Sequence, residues 1–422
     1  MLDSKILDFA RKWAKKASPA YADASYRTIL LKPDTFKGKD WVIVTVAAVE
    51  GVLYLGVPQA KIDHPVAFDA NALPKKVPEG EIVATEDGRA FIKGKGNIHF
   101  PVPTLDFQEA ERVIEARAKK PEGESIDAVM TAENLAAVIP FASRDMARPV
   151  LTQLGFHPNG MVAMSDGYTL GAVKILDGVK TETEPLAPEL PQAFYKLVAK
   201  KATGIVRFKF VKQDEALVTQ VRGWLRITKK DEPVSFLVQS TGGYKYPDFS
   251  HILETGEPFG TVKVPKDVVA SLKLAKVAYL LTDDEGRLYL LAESRNEDTR
   301  TIIAAWPIGE VCADKADFLF MAAYNADFIR KGFTFVPEGK VAGSGSWAAL
   351  KIHQEQKAWV VMPVKEVAFS PNQDADAVKN TIRVLDEASR MGVKVDKLLS
   401  MLPVLDIPAE DETAFEAVAV PA

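Results

Sequence analysis

Three short segments that place a glycine turn before an alternating strand constrain this chain most. The segments "TEDGRAFIKG", "HPNGMVAMSDG" and "DDEGRLYLLAE" occupy residues 85–94, 157–167 and 283–293. Each runs from polar residues through a glycine into a strand in which apolar residues alternate with others, a pattern typical of β-hairpins. The pattern predicts antiparallel meanders, and its recurrence indicates a repeated unit.

The length of 422 residues indicates more than one core, and division by the usual domain size predicts about three domains. Apolar residues make up 47% and charged residues 26% of the chain, as in soluble globular proteins. Polar segments at residues 116–125 and 254–260 mark candidate boundaries. We therefore expect domains at 1–120, 125–254 and 258–366, followed by a C-terminal extension at 367–422 that is helical or partly disordered.

The sequence contains no motif for a membrane span, a metal or a cofactor. No apolar run approaches the roughly 20 residues that cross a bilayer, so we expect a cytoplasmic protein without membrane partners. Cys312 is the only cysteine, and the five histidines are scattered without the spacing of a helical zinc site. There is no P-loop, and "GSGSW" at 343–347 lacks the third glycine of a dinucleotide fingerprint. We expect no cofactor, no metal and no catalytic residue, which favours a binding function.

Positive charge is concentrated on the predicted helices although the net charge is −4. The helix candidates are residues 2–17, 131–143, 191–202, 265–277 and 324–331. Solvated helix faces explain any one of them, whereas five with the same bias favour a basic surface built by repetition. The residues predicted to face DNA are Lys5, Arg11, Lys12, Lys15, Lys16, Arg144, Arg148, Lys196, Lys200, Lys201, Lys273, Lys276, Arg330 and Lys331.

Four segments, in order along the chain, resemble the bacterial DNA sliding clamp family, the beta subunits of DNA polymerase III. "RPVLTQLGFHPNGMVAMSDGYTLGAVKI" at 148–175 is similar to a segment of the family's middle domain, in which Arg-Pro-x-Leu leads into two strands and a polar turn. "YPDFSHIL" at 246–253 and "WVVMPV" at 359–364 resemble the segments that close the second and third domains. Residues 77–109 are similar to the second half of the first domain, and joint occurrence is more specific than any one match.

The resemblance implies an α+β fold of three repeated clamp domains, with helices inside and antiparallel sheets outside. Two chains would join head to tail as a homodimeric ring around double-stranded DNA. Lysines and arginines on the inner helices would attract phosphates without reading bases, as sliding requires. Such a clamp is a processivity factor that tethers a replicative DNA polymerase and binds its clamp loader through short linear motifs.

The resemblance also implies a peptide-binding pocket between the second and third domains. In this chain Tyr168 and Thr169 replace the usual histidine and arginine, and His251 stands where arginine is common, so the pocket is less basic. The matching positions are Leu151, Ser165, Gly167, Tyr168, Thr169, Leu170, Pro247, His251, Ile252, Tyr324, Val360 and Met362.

Two further departures from the family concern the first domain. The opening helix lacks the strand that usually precedes it, and residues 68–80 are too few for a full second helix. Two other functions stay open from the sequence. One is a hydrolase or transferase with Asp166 and His251 as acid and base, and the other is a ring scaffold that recruits partners through its tail.

Overall fold

The computed structural model describes residues 2–18, 22–118, 121–178, 184–213, 216–227, 233–253, 256–282, 285–296, 299–313, 321–343 and 349–363. The predicted extension at 367–422 lies outside the described residues. The chain divides into two compact units, the first holding Met1–Asp166 and Ala172–Ser250 and the second holding Gly167–Gly171 and His251–Ala422.

The first unit is built mainly of antiparallel strands, as the glycine turns predicted. Its strands are β1 (Leu2–Asp3), β2 (Thr28–Phe36), β3 (Lys39–Ala48), β4 (Gly51–Pro58), β5 (Val66–Asp69), β6 (Glu81–Ala84), β7 (Ala90–Lys93), β8 (His99–Val102), β9 (Ser125–Thr131), β10 (Gly155–Phe156), β11 (Met161–Ser165), β12 (Thr169–Lys174), β13 (Asp177–Gly178), β14 (Leu186–Pro188), β15 (Ala202–Gln213), β16 (Ala216–Leu225), β17 (Val234–Thr241) and β18 (Gly243–Lys245). Its helices are α1 (Ser4–Lys16), α2 (Phe107–Arg117) and α3 (Ala132–Val138). Two elements cross between the units: β12 begins in the second and continues in the first from Ala172, and α4 (Ser250–Leu253) begins at the last residue of the first.

Two sheets and a five-strand set organise the first unit. The nine-stranded sheet has the order β13-β9-β15-β16-β17-β4-β3-β2-β5, and a smaller sheet has the order β1-β6-β7-β8. The third set runs β18-β14-β10-β11-β12. The boundary predicted near residues 120–125 falls inside this unit, because β17 pairs with β4 across it.

The second unit contains two halves of the same layout. The first half is β19 (Gly260–Lys263), α5 (Lys266–Ser271), β20 (Val277–Thr282), β21 (Arg287–Asn296) and β22 (Thr299–Val311). The second is β23 (Met321–Asn325), α6 (Ala326–Phe335), β24 (Glu338–Ala342), β25 (Leu350–His353) and β26 (Lys357–Val361). The strand order is β26-β25-β24-β19-β22-β21-β20-β23.

A strand exchange between half-repeats recurs three times along the chain. In the second unit, the first strand of each half pairs with the second strand of the other half, β19 with β24 and β23 with β20. The first unit repeats the exchange, β1 with β6 and β5 with β2. It occurs again as β9 with β15 and β14 with β10. The repeated unit predicted from the hairpins is therefore real, and its period is one half of a domain.

The glycine turns of the three predicted hairpins share one conformation. Gly88 separates β6 from β7, Gly160 separates β10 from β11, and Gly286 separates β20 from β21. Their φ angles are 78°, 79° and 75°. Glycine occupies this left-handed region without the steric cost that a Cβ would add.

Each of the five predicted helix ranges contains helical residues, but one of them is not an α-helix. Helix α1 agrees with the predicted 2–17, and its N-cap Asp3 accepts a hydrogen bond from the Lys5 amide. The predicted helix at 191–202 is instead a π-helical turn over Phe194–Val198. Helix α2 (Phe107–Arg117) was missed, since the helix candidates did not include it.

The two departures expected in the first domain have opposite outcomes. The expectation that no strand precedes the opening helix is wrong, because Leu2 and Asp3 form β1 against β6. Residues 70–80 form turns rather than a second helix, as their number predicted. Instead α2 follows β8, and its Ala110 and Ile114 pack on Leu30, Ala47 and Ala67.

Candidate functional site

The turn between β11 and β12 brings a tyrosine to the surface of the second unit. Gly167 has a φ of 91°, a conformation that favours glycine. Tyr168 follows it with 48% of its surface exposed, whereas Thr169 and Leu170 are buried. Packing in the core therefore does not explain the presence of an aromatic residue at position 168.

Tyr168 belongs to a small surface group that we call the aromatic cluster, formed with Phe328, Lys331 and Met362. The Tyr168 and Phe328 rings are stacked, with centroids 6.1 Å apart and planes 21° from parallel. The Lys331 Nζ lies 5.4 Å from the Phe328 ring centroid, within cation–π range. The Met362 amide donates to the Tyr168 carbonyl over 2.9 Å, which ties the turn to the residue after β26.

Helix α6 positions two members of the aromatic cluster. Its N-cap Asn325 accepts a hydrogen bond from the Asp327 amide, which fixes the first turn. Phe328 and Lys331 are three residues apart and so lie on one face of the helix. The buried Ile329 and Phe333 anchor the opposite side.

The predicted pocket residues of the second unit divide into accessible and buried groups. Met362 is 48% exposed, His251 is exposed and Ile252 is half-buried. Leu170 and Val360 are 4% exposed, so their side chains offer almost no surface to a ligand. Tyr324 is fully buried in β23, and burial raises the pKa of its hydroxyl above the usual value. Its position is that of a core residue.

Three predicted pocket residues belong to the first unit. Leu151 and Ser165 are 8% and 4% exposed, and Pro247 is exposed. Next to Pro247, the buried Tyr246 hydroxyl donates to the Ala163 carbonyl over 3.4 Å. This contact holds the segment 246–250 against β11.

Several cations predicted to face DNA carry partners. On α1, Arg11 is buried and its guanidinium lies 2.7 Å from the Asp8 carboxylate, while the Lys12 ammonium lies 2.6 Å from the same group. Burial raises the pKa of Asp8, but hydrogen bonds from Lys12 and Arg11 outweigh it and lower the pKa overall. Arg11 is therefore a buried anchor of α1, and the free charge of this helix is on Lys15 and Lys16, which are exposed.

The remaining predicted cations lie at helix ends and turns. Arg148 is 3.3 Å from Asp145, and Arg330 is 2.7 Å from Asp327. Lys331 contacts Phe328 instead of pointing freely to solvent. Arg148 is exposed despite its ion pair with Asp145. Also exposed are Arg144, Lys196, Lys200, Lys201, Lys273 and Lys276, and Lys5 is half-buried.

Sequence reasoning missed Phe328 and the cations of α2. The sequence could have indicated Phe328, because it is an apolar residue on the polar face of a predicted amphipathic helix. Its neighbours in the sequence are Asp327 and Ile329. On α2, Arg112 is exposed, and the Arg117 guanidinium lies 3.6 Å from the Tyr26 ring centroid. Arg117 also donates to the Ala48 carbonyl over 3.1 Å, so its role is packing.

Within the described part of the chain, no three His, Cys, Asp or Glu side chains are grouped as metal ligands would be. In the same part, none of the helices is both long enough and apolar enough to span a membrane.

Comparison with known proteins gives matches to structures alone. No protein-family model matches the sequence. No curated protein matches it either. The solved DNA polymerase III beta subunit of Thermotoga maritima aligns with a TM-score of 0.59 at 14% identity, over 87% of this chain and 99% of that one. The DNA polymerase sliding clamp of Pseudomonas aeruginosa gives 0.59 at 16%, over 86% and 99%. The Helicobacter pylori beta clamp bound to a DNA ligase peptide gives 0.57 at 15%, over 86% and 99%.

These similarities define the fold as that of the DNA sliding clamps. Within that class the neighbours are bacterial, and the chain has the fold of their DNA polymerase III beta subunits. The predicted α+β fold of repeated clamp domains is confirmed.

Proposed function

We propose that this protein is a DNA sliding clamp, a processivity factor that encircles duplex DNA and tethers a replicative polymerase without catalysis of its own. The observation that carries the proposal is the extent of the fold match, which includes 99% of each of three solved clamps. The threefold strand exchange supports it, because a ring of repeated domains needs the same building unit at each step. The domains of the proposal are 1–120, 125–254 and 258–366.

Topological binding is the property that tests the proposal. Purified protein is loaded with a clamp loader onto a nicked circular plasmid, and the retained fraction is measured after gel filtration at moderate salt. We expect retention on the circle and release after a single restriction cut, because a ring slides off a free end. Equal retention on the cut plasmid would contradict the proposal. Binding to phosphates through exposed lysines alone would survive linearisation and fall steeply with salt.

The ring is proposed to close by strand addition between two chains. Within the first unit, the fourth strand of one repeat, β4, pairs antiparallel with the last strand of the next, β17. The corresponding last strand of the first repeat is β8, and among the described strands it pairs with β7 alone. The corresponding fourth strand of the second unit is β22, which pairs with β21 on one side and, on the other, with β19 only at residues 309–311. Among the described strands, residues 299–308 of β22 have no partner on that second side. Pairing of β8 with β22 of a second chain is a head-to-tail contact that closes into a ring.

The aromatic cluster is proposed as the docking site for short peptides of polymerase, loader and repair proteins. Tyr168 and Met362 offer exposed apolar surface beside the Lys331 charge, which suits an apolar anchor followed by a carboxylate. The clamp of Helicobacter pylori, which shares the fold, was solved with a DNA ligase peptide bound.

A labelled peptide that ends in Leu-Phe tests the docking site by fluorescence anisotropy. We expect Tyr168→Ala and Met362→Ala each to weaken binding by about 1–3 kcal/mol, as loss of an exposed anchor does. The matched control is Met146→Ala, since Met146 is 67% exposed in the first unit. Leu170→Ala is expected to lower stability instead, because Leu170 is buried. Unchanged affinity in both cluster variants would place the site elsewhere.

A further inference from the structure

One face of the nine-stranded sheet carries a group of exposed arginines and apolar residues. We call it the platform and define it as Ile205 and Arg207 on β15 with Arg222 and Trp224 on β16. Trp224 is 43% and Ile205 is 39% exposed, and both arginines are exposed. The residues that alternate with them, Val206 and Phe208 on β15 and Val221 and Leu225 on β16, are buried to within 1%. The platform therefore faces away from the core.

The two arginines of the platform stand directly opposite each other. The strand register pairs Arg207 with Arg222, and like charges at such positions destabilise a sheet. The Arg222 guanidinium donates to the Gln220 Oε1 over 2.9 Å, which orients it along the strand. Among the described residues, neither arginine has a carboxylate within ion-pair distance. The arrangement therefore has an electrostatic cost that a bound anion would relieve.

The net charge of the platform stays positive when the neighbouring charged residues are included. Lys209 lies one row away, and its register partner on β9 is Asp127. Asp177 on β13 is the register partner of Val129, which in turn pairs with Arg207. Arg226 is exposed just beyond the end of β16. The cations surround Trp224, whereas the two carboxylates lie on the far side of Arg207.

We propose that the platform binds single-stranded nucleic acid, with the arginines on successive phosphates and a base stacked on Trp224. Aromatic rings beside cations on a pleated surface are the chemistry that holds unpaired strands, because an unpaired base offers its face for stacking. A duplex hides those faces. The proposal is independent of ring closure and of the aromatic cluster.

The position of the platform disfavours a peptide as its occupant. Extended peptides add to a free sheet edge, and helical peptides need a groove. Strands β15 and β16 are interior, since β15 pairs with β9 and β16 pairs with β17 on their outer sides. Neither strand therefore offers an open edge for strand addition, so side-chain contacts to a flexible polyanion fit best.

Anisotropy of a labelled 20-nucleotide oligo-dT with the full chain tests the platform. We expect Arg207→Gln with Arg222→Gln to weaken binding at least tenfold and to reduce the salt slope by about 1.4, since each phosphate contact contributes about 0.7 on single strands. Trp224→Leu keeps the apolar bulk and is expected to weaken binding several-fold with the salt slope unchanged. The matched control, Lys37→Gln with Lys39→Gln, removes the same charge from exposed positions on the β2–β3 hairpin.

Two competitors decide the class of ligand. A 20-base-pair duplex and poly-glutamate are titrated against the same variants, and their affinities are expected to depend little on the platform arginines. If the double variant binds oligo-dT as the wild type does, the proposal is wrong. Equal loss of duplex or poly-glutamate binding in that variant would also overturn it, in favour of a general anion surface or an acidic protein partner.

Discussion

At the scale of single residues, His157 is a buried titratable group that makes stability depend on pH. It is 1% exposed, and its Nδ1 lies 3.6 Å from the Asp248 carboxylate, beyond a normal hydrogen bond. Burial lowers the pKa of His157 to about 4, although Asp248 acts to raise it. The native state therefore holds the imidazole neutral, packed against the Tyr246 and Phe249 rings.

This lowered pKa predicts a loss of stability in mild acid. The unfolded chain binds the proton near its ordinary pKa of about 6.5 and the native state near 4, so stability is full above 6.5 and falls between these values. The loss at pH 4 is about 3 kcal/mol at most, at 1.36 kcal/mol per pKa unit. Urea unfolding at pH 7.5 and 5 measures it.

The control for this prediction is His157→Leu, which removes the titrating group from the same site. We expect a smaller difference between pH 7.5 and pH 5 in the variant. A residual slope is expected, because burial also lowers the pKa of His353. Identical slopes in the variant and wild type would show that His157 does not carry the effect.

At the residue level, the exposure of a side chain could be predicted where the residue breaks its local pattern. Tyr168 stood on a turn where a core role was hard to argue, and it is exposed. Tyr324 lay in an apolar run, and the sequence could not reveal that its side chain turns into the core of the second unit. Arg11 looked like its exposed neighbours Lys15 and Lys16, yet it is buried on Asp8, since helix rotation decides which cations are free.

At the scale of elements, helix α6 packs closely on β26 because Gly332 has no side chain. A Cβ at Gly332 would lie within 2.5 Å of three Trp359 ring atoms. We expect Gly332→Ala to destabilise the second unit by about 1–3 kcal/mol, the usual cost of overpacking a core. Chemical unfolding followed by Trp fluorescence is the measurement, and Gly256→Ala is the control because no atom lies within 4 Å of its Cβ. A Gly332→Ala protein as stable as this control would contradict the close packing.

Element types were predictable where local patterns dominate and failed where tertiary contacts decide. The glycine hairpins followed from strand alternation and from turn residues. Helix α2 was missed because its apolar stripe is narrow, with only Ala110 and Ile114 buried. Glu111 of this helix forms an ion pair with Lys32, which is distant in sequence, so no local pattern could predict that contact.

At the scale of the whole molecule, the recurring strand exchange explains why so divergent a sequence keeps its fold. Each exchange joins strands that are distant along the chain, and the pairing is set by backbone hydrogen bonds and alternation rather than by specific side chains. The strands on either side of the glycine turns could therefore be predicted from short segments of the sequence. The exchange itself could not be read from the sequence, because partner choice between strands leaves no local pattern.

Ring closure through β8 predicts a dimer in solution that depends on the exposed edge of this strand. The edge of β8 opposite β7 pairs with no described strand. Beside it, Ile98 is 56% and Phe100 is 38% exposed, and an exposed apolar edge strand is a template for pairing with another chain. A dimer would have twice the chain mass of 46.2 kDa, about 92 kDa, by light scattering coupled to gel filtration. Ile98→Asp with Phe100→Asp is expected to give monomers, because it buries two unpaired charges in the contact. Met146→Asp, which alters an apolar side chain that is 67% exposed and lies outside the strands, is expected to remain dimeric. A double variant that still elutes as a dimer would show that the chains join elsewhere, and a wild-type monomer at micromolar concentration would exclude a stable ring.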